Sequence, residues 1–428
     1  MKVMIIGSGG REHALAWKAA KSPSVERVYV APGNAGTALE PGVENIELGV
    51  TDIDALVQFA LDNSVELTII GPEAPLVEGI VDVFRNSGLK CFGPSKDASR
   101  LEGSKVFTKD FLKRHGIPTA EYRVFAEFEP ARKYIMSVDL PVVVKADGLA
   151  AGKGVIIAQT SDEAISATRD MLSGVSFGDA GKKIIVEECL RGEEASFIVM
   201  VDGKNILPLA TSQDHKAVYD GDKGPNTGGM GAYSPAPVLT DSIYKRAMEE
   251  VIEPTVKGMA DEGYPYTGFL YAGLMILEDG TPSVLEYNCR FGDPETQPVL
   301  LRMKSDIVEM CLAALEERLD RVHTEWDNRA SLGVVMAAGG YPEKYGKGDI
   351  IAGLPDEECD DIKVFHAGTA VKEGDVVTSG GRVLCVTALG ESVSDAQKRA
   401  YELVEKISWK DVYYRKDIGF RAVARENG

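Results

Sequence analysis

Several features that mark common classes of protein are missing from this sequence of 428 residues. It has no apolar run close to the roughly 20 residues that cross a membrane, and no segment rich in Lys and Arg. The acidic residues (66) outnumber Lys and Arg (47), which gives a formal net charge of −19. We therefore expect neither a membrane nor a nucleic acid as partner, although local lysines can still bind phosphates.

The six cysteines are scattered, without a C-x-x-C pair. Neither a structural zinc site nor a disulfide framework is expected, and a cytoplasmic location is predicted because thiols stay reduced there. The sequence also lacks H-E-x-x-H, a Ser-His-Asp arrangement, a catalytic cysteine motif and the Walker loop GxxxxGK[ST]. None of these common motifs for a nucleophile or a metal is therefore available as a candidate site.

The first hundred residues alternate between patterns of strand and helix. Strands are predicted at Lys2–Gly7, Arg27–Val30, Leu67–Gly71 and Lys90–Phe92, with helices at Arg11–Lys21 and Leu76–Ser87. This alternation predicts an open parallel sheet covered on both faces, with a ligand outside the carboxyl ends of the strands.

Two further units follow. Residues 95–116 read as one helical stretch, and later strands are predicted at Leu140–Lys145, Gly154–Ala158, Lys183–Glu187, Gly268–Leu277 and Ser283–Asn288. A glycine-rich connection is predicted over 221–231 and a helix near Ser305–Leu319. From about residue 328 the pattern predicts short mixed strands with one helix, Ser394–Ile407.

A glycine turn, GSGG (7–10), follows the first strand and opens a helix. Backbone amides of Gly9 and Gly10 at such a helix start attract anions. The dinucleotide fingerprint needs a third glycine where Glu12 stands, so a nicotinamide cofactor is disfavoured. Arg11 and His13 favour a smaller anion such as a sugar phosphate, with a tight turn that binds nothing as the alternative.

Two central segments have features suited to a nucleotide. In VVVKADGLAAGKGV (142–155), Lys145 ends an apolar strand, and Gly148, Gly152 and Gly154 let backbone close over phosphates. In IIVEECLRGEEAS (184–196), an extended backbone suits an adenine edge, and a carboxylate suits ribose hydroxyls. A plain hairpin turn and solvated surface glutamates are the alternatives.

The segment VLEYNCRFGDPETQP (284–298) carries the pattern typical of a metal site. Alternate side chains of a strand share a face, so Glu286, Asn288 and Arg290 are expected to project together. Carboxylate and amide oxygens suit magnesium, and an arginine beside them suits a carboxylate or phosphate. A structural ion-pair network is the alternative. A separate long polar loop (211–235) groups Asp214, His215, Lys216 and Asn226 around glycines, and a loop this polar is usually functional or disordered.

These motifs together resemble the ATP-grasp enzymes, and more closely the phosphoribosylamine–glycine ligase family, also called glycinamide ribonucleotide synthetases. The resemblance covers essentially the whole chain and rests on ten ordered motifs: GSGGREHALAWK, APGNAGT, GPEAPLV, FGPSKDASRLEGSK, VVKADGLAAGKGV, GEEASF, QDHK, GPNTGGMGAYSPAPV, YTGFLYAGLMI and EYNCRFGDPETQPVL. One departure is that GFLYAGLMI (268–276) lacks the acidic metal ligand that many ATP-grasp enzymes place there.

The resemblance implies a role for each candidate residue. ATP would be bound by Lys105, Lys145, Gly148, Gly152, Gly154, Glu187, Leu190 and Glu194. The substrates would contact Gly9, Gly10, Arg11, Glu73, Lys216 and Asn226, with the N-terminal glycine turn helping to bind the amine. Mg²⁺ or Mn²⁺ would be held by Glu286 and Asn288. Arg290 would stabilise the transferring group, and either Asp214 or Asp293 would accept the proton of the amine.

The implied reaction joins glycine to 5-phosphoribosylamine at the expense of ATP, through an acyl phosphate. Another carboxylate–amine ligase with a different amine is the alternative. The implied fold combines α/β and α+β units: an N-terminal open parallel sheet that binds substrate (1–100), a central ATP-grasp domain (101–327) with a small mobile lid (about 120–190), and a small mixed C-terminal domain (328–428). A monomer or weak homo-oligomer is expected.

Overall fold

The computed structural model describes residues 1–149, 154–174, 178–355 and 359–428. Its first part alternates strands and helices as predicted. The strands are β1 (Lys2–Gly7), β2 (Arg27–Pro32), β3 (Val43–Asn45), β4 (Leu67–Ile70) and β5 (Cys91–Phe92), and the helices are α1 (Gly10–Ala20), α2 (Ala35–Leu39), α3 (Ile53–Asp62), α4 (Glu73–Glu78) and α5 (Ile80–Asn86).

These strands form one parallel sheet in the order β3-β2-β1-β4-β5, which confirms the expected open sheet. From β1 the chain adds β2 and β3 on one side of the sheet, and then β4 and β5 on the other side. A crevice therefore opens between β1 and β4 at their carboxyl ends. Gly7 and Gly71 stand there. The helix predicted over Leu76–Ser87 is instead divided into α4 and α5, because Gly79 takes a left-handed conformation (φ 98°).

The middle of the chain contributes two four-stranded antiparallel sheets, a two-stranded hairpin and several helices. Its elements are α6 (Arg100–Gly103), α7 (Lys105–Arg114), β6 (Tyr122–Phe125), α8 (Phe128–Ile135), β7 (Val142–Ala146), β8 (Val155–Ala158), α9 (Ser161–Leu172), β9 (Ile184–Glu188), β10 (Glu193–Asp202), β11 (Ile206–Pro208), β12 (Gln213–Asp214), β13 (Ala217–Tyr219), β14 (Lys223–Asn226), β15 (Gly231–Ser234), α10 (Asp241–Arg246), α11 (Glu253–Asp261), β16 (Thr267–Ile276), β17 (Pro282–Asn288), α12 (Thr296–Arg302) and α13 (Ile307–Leu315).

One sheet of the middle part has the order β6-β9-β7-β8 and is covered by α8 and α9. It has a small apolar core of its own, which includes Ile135, Val144 and Met171. We call this sheet with its two helices the lid. The second sheet has the order β11-β10-β16-β17 and faces the lid across a cleft.

The second sheet packs on the N-terminal sheet. Alternate residues of β1 point to opposite faces, so Met4 and Val3 belong to two different apolar cores, and β10 contributes to both. The rings of Phe92 and Phe269 meet edge to face at 5.0 Å between centroids. This shared packing fixes the N-terminal crevice beside the second sheet.

Three predictions about the middle and the end of the chain need correction. The helical stretch over 95–116 is broken at Ser104, whose extended backbone (φ −140°, ψ 110°) caps α7. The connection predicted over 221–231 contains β14, which pairs with β13 in a hairpin. The last unit contains a second helix, α15 (Phe420–Asn427), besides the expected α14 (Val393–Val404).

The final part adds β18 (Ala330–Ala337), β19 (Ile362–His366), β20 (Thr369–Lys372), β21 (Asp375–Thr378) and β22 (Arg382–Gly390). Its main sheet has the order β12-β15-β18-β22-β19. Two strands that precede residue 327, β12 and β15, belong to this sheet, and the pairing of β15 with β18 joins them to the strands that follow. Within the described ranges, no helix is long and apolar enough to cross a membrane.

Candidate active site

A cleft of about 510 Å³ lies between the lid and the sheet that contains β17, with the N-terminal crevice and the final part of the chain at one end. Its walls carry both signs of charge and several apolar side chains. Of the predicted site residues, the following line it: Arg11, Glu73, Lys105, Lys145, Gly154, Glu187, Leu190, Glu194, Asp214, Lys216, Asn226, Glu286, Asn288, Arg290 and Asp293.

Glu286 and Asn288 on β17, and Arg290 two residues beyond the end of that strand, all line the cleft, in keeping with the expectation that they project together. Gly273 pairs with Glu286 and Leu274 with Val284, so Leu285 is an extra residue, a β-bulge. A bulge bends the strand and turns nearby side chains.

Arg290 lies among carboxylates at the end of this strand. Its Nε is 3.5 Å from Glu73 Oε2 and 3.4 Å from Glu102 Oε1, and its Nη2 donates to Asn288 Oδ1 at 3.1 Å. Glu102 also accepts the backbone N–H of Cys289 at 2.6 Å. Burial raises the pKa of Glu102 to about 7, against the opposing effect of Arg290. The guanidinium is thereby held facing the cleft.

The two lysines predicted to bind phosphate enter the cleft from different elements. Lys105 is the first residue of α7, a helix that is capped by the Ser104 side chain, which accepts the N–H of Phe107. The Nζ of Lys105 donates to the carbonyl of Gly148 at 3.0 Å. Lys145, near the end of β7, pairs with Glu187 of β9. The lid and α7 therefore present ammonium groups to the same space.

Lys216 links acidic groups from β10 and β17, two strands of one sheet that are separated by β16. Its Nζ is 2.9 Å from Glu194 Oε2 and 3.5 Å from Glu286 Oε1. Burial alone would raise the pKa of Glu286, but Lys216 and other nearby lysines hold this pKa at about 2. Burial raises the pKa of Asp214 to about 8, despite the adjacent Lys216. Two carboxyl groups of one cleft thus differ greatly in proton affinity.

Asp293 is held on both of its oxygens. Arg382, from β22, contacts Asp293 Oδ2 at 3.0 Å, and Gln297 donates to Oδ1 at 2.9 Å. Arg382 also donates to the carbonyls of Gly228 and Asp293, at 2.5 and 2.7 Å. Burial alone would raise the pKa of Asp293, but Arg382 holds it below the usual value.

The N-terminal turn is partly filled by the protein itself. Glu12 accepts the N–H of Gly9 at 2.6 Å and contacts Arg11 Nε at 2.5 Å. A Cβ on Gly7 or Gly71 would overlap with the Glu12 side chain. Among the predicted residues that the structure describes, Gly9, Gly10 and Gly148 are not part of the cleft wall. Gly152 lies outside the described residues.

Family models match almost the whole chain. The phosphoribosylglycinamide synthetase N domain matches residues 1–102, the ATP-grasp (A) domain residues 103–296, and the C domain residues 331–421. The chain belongs to the phosphoribosylglycinamide synthetase family. The predicted family, the ATP-grasp central fold and the class of ATP-dependent ligase are thereby confirmed.

Individual members of the family agree with this assignment. A phosphoribosylamine–glycine ligase of Escherichia coli strain K12 is 67% identical over 427 residues, with all of both chains covered. One from Vibrio parahaemolyticus is 66% identical over 426 residues, covering 100% of this chain and 99% of the relative. The crystal structure of phosphoribosylamine–glycine ligase from Thermotoga maritima has 37% identity and a TM-score of 0.84, covering 98% of this chain and all of that one.

The fold also extends to more distant enzymes. The biotin carboxylase domain of 2-oxoglutarate carboxylase from Hydrogenobacter thermophilus, solved with MgADP, ADP and bicarbonate, has a TM-score of 0.73. It covers 96% of this chain and 91% of that chain at 19% identity, so the likeness shows the fold alone.

The donor atoms on β17 fit the divalent cation that the family implies. In the part of the chain that the structure describes, no three His, Cys, Asp or Glu side chains come together as a metal site. Glu286 and Asn288 nevertheless supply a low-pKa carboxylate and an amide oxygen facing the same cleft. Magnesium commonly takes few protein ligands and completes its shell with phosphates and water.

Among the residues of the cleft wall that were given no role from the sequence, four have polar side chains used here: Glu102, Lys109, Tyr341 and Arg382. Lys109 could have been predicted from the sequence, because it lies one helical turn after Lys105 and therefore on the same face of α7. Glu102 stands three residues before Lys105 in a motif already singled out. Tyr341 and Arg382 could not have been predicted from the sequence, since only the folding of the final sheet brings them to the cleft.

Proposed function

We propose that this chain joins glycine to 5-phosphoribosylamine, giving glycinamide ribonucleotide, ADP and phosphate, as a step of purine biosynthesis. The names of its relatives support these substrates. The observation that carries the proposal is the convergence of Lys105, Lys145 and Glu286 on one cleft whose far end is the N-terminal crevice. A nucleotide and a sugar phosphate would thus meet in one space.

The chemistry needs positioning and charge neutralisation rather than an enzyme nucleophile. A glycine carboxylate oxygen attacks the γ-phosphorus of ATP, ADP leaves, and glycyl phosphate forms. The amine then attacks the carbonyl carbon, phosphate leaves, and the amine loses a proton. Lys105, Lys145 and Arg290 are placed to offset the charge of the transferring group. A divalent cation on Glu286 and Asn288, Mg²⁺ or Mn²⁺, would neutralise further phosphate charge.

Asp214 is the better candidate to accept the proton of the amine. Both oxygens of Asp293 are engaged, by Arg382 and Gln297, and its pKa is lowered. Asp214 lines the same cleft, and burial raises its pKa to about 8, which makes it more basic. A base works best when its pKa lies near the working pH.

The lid offers a site for the adenine. The side chains of Leu149 and Ile157 line the cleft and remain 36% and 48% exposed, an apolar surface that a planar base would cover. We assign adenine to the backbone of Glu187 and Leu190, ribose to Glu194, and phosphates to Lys105, Lys145 and the glycines 148, 152 and 154. Lid movement over about 120–190 would keep water from glycyl phosphate.

The remaining assignments concern the second substrate and the domains. We propose that Arg11, Glu73, Lys216 and Asn226 contact phosphoribosylamine, with Gly9 and Gly10 shaping the turn beneath it. The division at 1–100, 101–327 and 328–428 remains our proposal, as do a monomer or weak homo-oligomer and a cytoplasmic location.

The test is a coupled assay of ADP formation with glycine and freshly prepared phosphoribosylamine. We expect turnover that requires both substrates and a divalent cation. Turnover with another amine but not with phosphoribosylamine would favour a different carboxylate–amine ligase. No ADP formation with any substrate pair would refute the proposal.

A further inference from the structure

Lys109 has no role in the assignments above, yet it is one of the most buried charged residues of the molecule. Its exposed fraction is 3%, and it lines the cleft one helical turn after Lys105. Its Nζ lies 2.7 Å from Glu187 Oε2 and donates to Thr119 Oγ1 at 2.7 Å. A lysine is rarely buried to this extent without a specific partner.

Glu187 is shared between two lysines. One carboxylate oxygen pairs with Lys109 and the other with Lys145, and Glu187 is itself 3% exposed. Lys145 also donates to the carbonyl of Leu285, at 3.2 Å, on the bulge of β17. An ammonium group has three donors, so these two acceptors leave one direction of Lys145 for a ligand.

The contacts close into a ring that joins four elements. Thr119 links Lys109 to β17. Its Oγ1 accepts a hydrogen bond from Lys109 and donates one to the carbonyl of Val284, at 2.7 Å. The next carbonyl, of Leu285, accepts from Lys145. The ring therefore fixes Lys145 relative to both α7 and the strand that carries Glu286.

The charges of this ring do not cancel. Two ammonium groups face one carboxylate, and Glu187 keeps its charge because Lys145 and Lys109 hold its pKa low although burial opposes this. Burial lowers the pKa of Lys109, while Glu187 opposes that change. An uncompensated buried charge is costly, so the arrangement favours an anion in the cleft.

We propose that Lys109 is a positioning residue of the nucleotide site: it shares Glu187 with Lys145, so that Glu187 orients the Lys145 ammonium without neutralising it. This inference rests on the proposed ATP-binding role of Lys145. Without Lys109, Glu187 would pair with Lys145 alone, and the net positive charge of this group of three side chains would be lost. The affinity for ATP depends on this shared carboxylate.

The test compares Lys109→Met with Lys113→Met, an exposed lysine on the same helix. We expect the KM for ATP to rise about tenfold or more in Lys109→Met, the size of a lost charge-assisted interaction. The KM values for glycine and phosphoribosylamine should stay within about twofold, and Lys113→Met should match the parent chain. A buried packing defect would instead shift all three KM values and the melting temperature together.

The double variant Lys109→Met/Glu187→Gln separates charge from packing. Removing both charges leaves Lys145 uncompensated again, so we expect it to recover most of the ATP affinity that Lys109→Met loses. Additive or worse loss in the double variant would overturn the inference. Should Lys109→Met fail to fold, Lys109→Gln, which keeps a donor for Thr119 but no charge, replaces it.

The inference and the proposed function fail in different ways. If the parent chain forms no ADP with glycine and phosphoribosylamine, the proposed function is wrong. If the parent chain turns over normally and Lys109→Met leaves the KM for ATP unchanged, only the role of Lys109 is refuted.

Discussion

The turn after β1 and the central cleft both combine glycines with charged side chains, but the protein treats the two spaces differently. In the turn, Glu12 folds back onto the amide of Gly9 and occupies the room that Gly7 and Gly71 leave. In the cleft, Lys145 and Lys105 face a space of about 510 Å³. The turn carries its own anion, whereas the cleft presents positive charge to a ligand.

This difference shows that a missing Cβ can serve two purposes. Glycine makes room either for a ligand or for a side chain of the same chain, and the sequence motif alone does not distinguish them. What distinguishes them here is whether a nearby acid can reach the exposed amide. Substitutions in the two places should therefore affect different properties: catalysis in the cleft and stability in the turn.

The largest effect is expected for Lys145→Met. The side chain loses its charge but keeps most of its apolar stem, so the fold should persist while charge stabilisation of the phosphates is lost. We expect kcat/KM for ATP to fall by about 10²–10³-fold, as when one group aimed at a transition state is removed. The coupled ADP assay measures it, with thermal unfolding as the control. Unchanged kinetics would remove Lys145 from the site.

Asp214→Asn should rank next. Asp214 accepts a proton only when ionised, and its pKa of about 8 means that the ionised fraction grows as pH rises through 8. Its charged neighbours in the cleft, Lys216, Glu194, Glu286 and Glu295, stay unchanged in this variant. We expect kcat/KM to rise between about pH 7 and 9 in the parent chain and to be roughly 10²-fold lower and flat in the variant.

The matched variant Asp293→Asn serves as the control for this pH profile. Because the pKa of Asp293 is lowered, its removal should not erase a rise near pH 8. If Asp293→Asn flattens the profile and Asp214→Asn does not, the two assignments must be exchanged.

Glu286→Gln tests the acidic side of the cleft. The amide keeps the shape but loses the negative charge that a divalent cation needs, so the Mg²⁺ concentration for half-maximal rate should rise by roughly 10–100-fold. Glu188, an exposed neighbour on the cleft rim, provides the matched control as Glu188→Gln. A metal titration identical to that of the parent chain would argue against a metal at β17.

The sequence predicted more of the cleft than of the turn, for physical reasons. Strand periodicity was sufficient to predict that Glu286, Asn288 and Arg290 approach one space, the cleft that all three line, because alternate side chains of a strand project together. The N-terminal parallel sheet followed equally from local patterns. These features depend on contacts that are near in the chain.

Features that depend on the pairing of strands far apart in the chain could not be predicted from the sequence. Arg382 reaches Asp293 only because β22 joins a sheet that also contains strands from much earlier in the chain, the first of which begins at Gln213. The β-bulge at Leu285 depends on the register with β16. The use of Glu12 as an internal cap is local, but the sequence does not say whether its side chain turns toward Gly9 or away.

Arg11→Ala probes the border between turn and cleft. Arg11 contacts Glu12 and the carbonyl of Phe291, and it also lines the cleft near Glu73. We expect the KM for phosphoribosylamine to rise about tenfold, the size of one charge-assisted contact, and the KM for ATP by less than about twofold. Equal changes in both would show that Arg11 does not contact the sugar phosphate.

The smallest effect on catalysis is expected for Glu12→Gly, which supplies the third glycine of a dinucleotide fingerprint. The variant loses the acceptor for Gly9 N–H and leaves a gap beside Gly71, so the free energy of unfolding should fall by about 1–3 kcal/mol. Denaturant unfolding measures this change. Glu78→Gly, at an exposed position of α4, gives the cost of glycine in a helix alone.

The same variant should not gain affinity for NAD in a calorimetric titration, because Ala31 and Pro32 stand where an acidic residue would hold the ribose. If Glu12→Gly is as stable as Glu78→Gly, Glu12 does not fill the turn in solution, and the contrast with the cleft disappears. If it binds NAD, the space is a ligand site that a single side chain closes.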